Sequence, residues 1–136
     1  MNDDSLTVFY DAACAVCSFE IDALCRRDSR GRLRPIDISA PGFDAARHGF
    51  DARALDAAIH IVAGGGRVAR GTDALRLLYR AVGLGWLVAP TAWPGLRQAT
   101  DIAYRLFATH RRRCSRVLAP VIAGLHRGAR GAPARP

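Results

Sequence analysis

Lysine is absent from this chain: all 20 basic residues other than histidine are arginine. With abundant Ala, Gly and Pro, that is the usage expected from GC-rich coding. The net charge of +8 therefore does not by itself select a nucleic-acid or membrane role. Long apolar runs are missing too. The apolar stretch Leu84–Pro90 is interrupted by Pro90 and then Pro94, far short of the length that crosses a bilayer. No such run follows the acidic start Met1-Asn2-Asp3-Asp4-Ser5 either, so no secretory signal and a cytoplasmic location are expected. Cysteine is scarce, with four residues and a single Cys-x-x-Cys at Cys14 and Cys17. Structural zinc normally takes four ligands, commonly two such knuckles or one knuckle with a histidine pair. Here Cys25, Cys114 or a histidine would have to converge from unrelated places, and His48, His110 and His126 have no ligand spacing. A zinc-binding structural protein is thus the lesser alternative, and neither metal nor cofactor is expected. No internal repeat is visible.

What is present fits one soluble α/β domain. The chain has 136 residues, half of them hydrophobic, and a mean hydropathy of +0.03. Charge is unevenly placed. Residues 1–96 hold 11 Arg against 11 acidic residues, whereas residues 97–136 hold 9 Arg against Asp101 alone. The Arg-rich end could contact nucleic acid or an anionic membrane surface; a solvated face is the simpler reading.

Leu6–Tyr10 mixes β-branched and aromatic residues and reads as a short buried strand. From Cys14 onward Val16, Phe19, Ile21, Leu24 and Cys25 mark an amphipathic helix ending near Arg26-Arg27, whose charges suit a helix C-terminus. Leu33–Ile38 alternates as a second strand, and Pro35 places it at an edge. A loop with a short helix over 52–57, capped by Asp51, leads to a third strand, Ile59–Val62. Gly64-Gly65-Gly66 turns the chain into a fourth strand, Arg67–Arg70, as an antiparallel hairpin. Thr72 is the expected N-cap of the next helix, which Gly83 ends. Another helix runs from about Leu96 to Arg111-Arg112-Arg113, and its continuation is expected to be interrupted at Pro120. Residues 1–126 read as one domain, and 127–136, built only of Arg, Gly, Ala and Pro, as a disordered basic tail.

Placing Cys14 and Cys17 where a strand hands over to a helix has a chemical consequence. The unpaired N–H groups and positive dipole end of a helix N-terminus favour a thiolate over a thiol. In a reducing compartment such a pair points to redox chemistry rather than a structural staple. Asp11 could pass protons at the dithiol or could be a capping or turn residue.

The order strand, Cys-x-x-Cys at a helix start, strand, hairpin, helix is that of a thioredoxin-like core. Further motifs extend the likeness: Tyr10-Asp11 before Cys14-x-x-Cys17, Ser18-Phe19-Glu20, Ile59-His60-Ile61-Val62, Gly66-Arg67-Val68 with Gly71-x-Asp73-Ala74-Leu75, Pro94-Gly95-Leu96, and Tyr104-Arg105-Leu106-Phe107-Ala108. Together, over roughly residues 6–113, they resemble the DCC family of thiol–disulfide oxidoreductase-like proteins. The resemblance implies a thioredoxin-like fold of about four strands in a mixed sheet, a helical C-terminal extension and a dithiol activity. Under it, Cys14, nearer the helix start and better exposed, is the expected nucleophile, and Cys17, one turn deeper, the resolving thiol. The partners implied are a protein or small-molecule disulfide and an external thiol reductant. The pair between the cysteines is the apolar Ala15-Val16, and Ala57-Ala58-Ile59-His60 lacks the proline that thioredoxins place before the third strand. His60 could face the dithiol or, by strand alternation, turn away from it. Cys25 reads as a small buried hydrophobe, and Cys114, beside three arginines, as packing. A non-catalytic redox-sensing or binding module with a basic C-terminal helix is the alternative from another class.

Overall fold

Leu6, Val8 and Tyr10 alternate with Thr7 and Phe9, and that period of two gives the first strand an apolar side chain on each face of a sheet. In the computed structural model, which describes residues 4–130, this strand (β1, Leu6–Tyr10) sits inside a four-stranded sheet. β1 leads into α1 (Ala15–Arg27) and the parallel partner strand β2 (Leu33–Asp37). A short turn of 3-10 helix at Ala45–His48 and α2 (Ala52–Ala57) precede β3 (His60–Ala63), which runs antiparallel to β1. β3 turns through Gly64–Gly66 into β4 (Val68–Arg70), and α3 (Gly71–Ala81) closes the unit. The order across the sheet is β2-β1-β3-β4. That mixed sheet and element order agree with the thioredoxin-like core expected from the sequence. Pro35 lies opposite Val8 on the edge strand β2, where its missing N–H faces outward without breaking a ladder.

Helices cover both faces. Leu6, Val8 and Ile61 pack with Ile21 and Leu24 of α1 and Ala74 and Leu78 of α3. On the other face Phe9 packs with Ala45 and Leu55. Ile61 is fully enclosed, at 0% exposure. Ile61→Ala is accordingly expected to lower unfolding free energy by about 3 kcal/mol, measured by urea denaturation.

The C-terminal half differs from expectation in three places. α3 begins at Gly71 with Arg70 at the cap position and no side-chain cap. Thr72 is not the N-cap because its hydroxyl donates to Asp101 Oδ1 (2.5 Å), joining α3 to the last helix. Arg76, 4% exposed, lies 3.8 Å from the same Asp101 carboxylate and donates to Asp73 and to the side chain and carbonyl of Thr91. After α4 (Gly85–Val88) and a 3-10 turn at Ala89–Ala92, α5 runs unbroken from Leu96 to Arg130. Pro120 does not interrupt it. Pro120 and Arg116 are exposed, so water can serve the carbonyl that loses its N–H partner. α5 also includes 127–130, the first positions of the stretch read as a disordered tail; the remaining tail residues lie outside the described residues. Among the described residues no helix is long and apolar enough to cross a membrane.

Candidate active site

The chain turns sharply after β1. Asp11 Oδ1 accepts from the Ala13 N–H (2.9 Å), and the Cys14 N–H donates to the Asp11 carbonyl (3.1 Å). The Ala12 N–H donates to Asp37 Oδ1 at the end of β2 (3.0 Å), fixing the turn to the sheet. Cys14 thus arrives as the N-cap of α1, in extended backbone conformation, with its Sγ accepting from the Cys17 N–H (3.3 Å). A sulfur has taken the place usually held by a Ser, Asp or Asn oxygen.

This position sets the electrostatics of the pair. The Cys17 thiol donating to Cys14 Sγ, the Cys17 backbone N–H and the Arg111 guanidinium together outweigh burial and Asp11, and bring the Cys14 thiol down to about 6. Cys17 moves the other way. Its S–H is held by Cys14, and burial and the Cys14 charge raise it further. The arrangement is a thiolate on Cys14 and a proton on Cys17.

Exposure reverses the sequence expectation. Cys14 is 1% exposed and Cys17 is half-buried. The cause is α5, which lies across the start of α1: Ser115 Oγ accepts from the Ala15 N–H (2.7 Å), and Arg111 is buried beside it. Arg111 Nη2 lies 3.2 Å from Asp11 Oδ2 and 2.6 Å from Asp56 Oδ1. Asp11, 7% exposed, is therefore both turn residue and ion-pair partner, and the first of three adjacent arginines is an inward-facing member of the site. Neither Arg111 nor Ser115 carries a local sequence signal for that role. The inward stripe of α5 containing Tyr104, Ala108, Arg111 and Ser115 would have pointed to it.

His60 is not brought to the dithiol. It pairs with Phe9 across the ladder and shares its face, where it contacts Phe50 edge-on and its Nδ1 lies 2.8 Å from the Ala58 carbonyl. Alternation turned it to the α2 side. Cys25 is half-buried against the core around α1 and α3, where burial raises its thiol, and Cys114 is half-buried on α5. All four cysteines are free thiols, and among the described residues no group of three or more His, Cys, Asp or Glu could hold a metal ion.

A cavity of about 260 Å3 opens beside Cys17. Phe9, Ile59, Leu75, Tyr104 and Phe107 give it an apolar lining, with Glu20, Asp11 and Arg111 as its charged members. Residues 8–117 match the description DCC1-like thiol–disulfide oxidoreductase. The chain belongs to the DCC1-like thiol–disulfide oxidoreductase family. Among curated proteins it is similar to an uncharacterized chloroplastic protein of Arabidopsis thaliana, 30% identical over 108 residues, covering 78% of this chain and 50% of that protein. The chain therefore spans about half the length of the curated relative it matches. No solved structure matches. Membership in the DCC1-like family supports a general redox role, and the Cys14–Cys17 pair is in place for it.

Glu20 was not among the candidate residues of the sequence. It lies one turn beyond Cys17 on α1, its Oε1 accepts from the Tyr79 hydroxyl (2.9 Å), and burial pushes its carboxyl above the usual range. A raised folded-state value favours folding below the unfolded carboxyl's titration, and that contribution is lost as pH rises through the folded value. Glu20→Gln keeps an acceptor for Tyr79 and removes this loss. It is expected to raise stability at pH 7 by up to about 1 kcal/mol, with little change at pH 4, measured by urea denaturation at the two pH values.

Proposed function

We propose that this DCC1-like protein carries out reversible thiol–disulfide exchange through Cys14 and Cys17. The observation that supports it is the use of Cys14 Sγ as the N-cap of α1, which holds negative charge on sulfur where a second thiol donates to it. Because Cys17 is the sulfur that lines the cavity, it is assigned the first contact with substrate. This reverses the order expected from the sequence. Cys17 Sγ attacks a disulfide R–S–S–R′ as its proton passes to the Cys14 thiolate, so that no free Cys17 thiolate builds up before the attack. The S–S bond breaks, Cys17–S–S–R forms, and R′–S⁻ leaves and takes the proton back from Cys14. The Cys14 thiolate then attacks Cys17 Sγ and displaces R–S⁻. One disulfide has been reduced to a thiol and a thiolate, and the enzyme dithiol oxidised to an intramolecular disulfide. An external thiol reductant restores the pair.

The test is equilibration in mixtures of reduced and oxidised dithiothreitol, followed by acid quench, alkylation and mass measurement. The pair is expected to interconvert between dithiol and a Cys14–Cys17 disulfide as one two-electron unit. A Cys14–Cys17 pair that remains reduced even in the most oxidising mixture would falsify the proposal.

A further inference from the structure

We infer that the substrate of this dithiol is a small, neutral, apolar disulfide bound in the cavity beside Cys17, rather than a disulfide presented on a peptide backbone. The inference rests on the exchange reading above and names the substrate class for that site.

Access to the sulfurs comes first. Cys14 is sealed under α5, so a substrate reaches the pair at Cys17, through a cavity walled on the α5 side by Tyr104, Phe107 and Ala108. At about 260 Å3 the space is small. It lies just below the roughly 300–1,000 Å3 of drug-sized ligand sites. A ligand of about a dozen non-hydrogen atoms suits it; a folded protein's disulfide loop does not.

The segment before β3 argues the same way. A peptide substrate needs unpaired backbone groups beside the dithiol to pair with its own. Here the Ile59 N–H, at the cavity wall, already donates to Tyr104 Oη (3.0 Å). The Ile59 carbonyl accepts from the Gly71 N–H (2.9 Å), and the Ala58 carbonyl lies 2.8 Å from His60 Nδ1. The groups that would receive a peptide strand at this loop are engaged within the fold.

The charges of the lining select against an anion. Arg111, the cation of the lining, is shared between Asp11 and Asp56, so a ligand carboxylate would have to compete with two anions. Glu20 lies in the same lining and would repel an anion when ionised. What remains for recognition is apolar and aromatic surface, with the Cys17 sulfur as the reacting group. The electron balance is that of the exchange already written: the ligand's S–S bond takes two electrons and leaves as two thiol sulfurs, and a thiol reductant supplies the pair again.

The experiment uses the full chain with three disulfides and one inert probe. Lipoamide is neutral and largely apolar, glutathione disulfide is charged, and insulin presents its disulfides on peptide; octanamide fills apolar space without reacting. Lipoamide is expected to show a kcat/KM at least about tenfold above the other two, with octanamide inhibiting it competitively. Calorimetry should detect octanamide binding to the reduced protein. Ala108→Phe and, from the opposite wall, Leu75→Phe are expected to weaken that binding at least about tenfold by occupying the space; the variant that keeps the native circular dichroism and melting behaviour is the informative one. Cysteine-dependent exchange that serves insulin or glutathione disulfide as well as lipoamide, with no effect of octanamide, overturns the substrate class and leaves the exchange reading standing. Octanamide binding without turnover of any disulfide overturns the exchange reading, and the disulfide class with it.

Discussion

Replacing Cys14 by serine is expected to reduce disulfide-exchange turnover at pH 7 by at least about 100-fold while leaving the fold intact. Serine is a favoured N-cap, so its hydroxyl can take over as acceptor for the Cys17 N–H that Cys14 Sγ now receives. What it cannot supply is a thiolate. The Cys14 thiol titrates at about 6 in the wild type, so at pH 7 the sulfur is mostly ionised; a serine hydroxyl stays protonated there. Absorbance at 240 nm provides the companion measurement. The reduced wild type should gain thiolate absorbance through a midpoint near pH 6, and Cys14→Ser should lack that step. Cys17→Ala tests the other half, because the thiol that donates to Cys14 is the first cause of its lowered value, and its removal should move the midpoint upward. Wild-type turnover in Cys14→Ser would sink the assignment of the pair as the reacting group.

Arg111→Met should have the largest effect on stability. The Arg111 and Asp11 side chains are 10% and 8% exposed, and the substitution leaves the Asp11 carboxylate buried without its counter-ion. Removing one partner of a buried pair costs on the order of 3–5 kcal/mol. The Asp56 contact adds little to that figure, because its side chain is 62% exposed and water screens it. Asp11→Asn in the same chain should recover much of the loss, since the amide oxygen can still accept from the Ala13 N–H. Arg111→Met alone also raises the Cys14 midpoint, because the Arg111 charge is one of the causes holding it down. The sign with pH follows from a depressed folded-state value. Ionised Cys14 stabilises the fold fully above the unfolded thiol's titration near 9.0, and the contribution is lost as pH falls through about 6. The Cys14-linked part of the Arg111→Met loss should therefore be present at pH 8 and absent at pH 5, read from urea denaturation of the reduced protein at both.

The parts of the fold legible in the sequence are those set by short-range chemistry. β1, the start of α1 near Cys14, the edge position of Pro35, the Asp51 cap and the triple-glycine turn each follow from residues within one turn or one pleat. The site is less legible because its other half comes from about a hundred residues away. Nothing local distinguishes Arg111 from Arg112 and Arg113; only the facing of α5 buries the first and exposes the other two. Ser115 beneath the Ala15 N–H is the same case. That long-range cover reversed the exposure of the two sulfurs. His60 was left open by a period of two, which fixes that neighbours face opposite ways but not which way, and register with Phe9 decided it. Thr72 had the right chemistry for a cap and spent its hydroxyl on Asp101 instead.

One sulfur serves as both cap and reactant, and this bears on electron affinity. Oxidation to a Cys14–Cys17 disulfide removes the negative charge from the start of α1, so the helix terminus, the Cys17 donors and Arg111 all stabilise the reduced form alone. Under the proposed exchange, a dithiol stabilised in this way is expected to have a higher reduction potential at neutral pH than the same pair without the cap, the Cys17 donors and Arg111. The sealed helix start, which looks like a purely structural detail, would thereby bear on how readily the pair gives up its electrons.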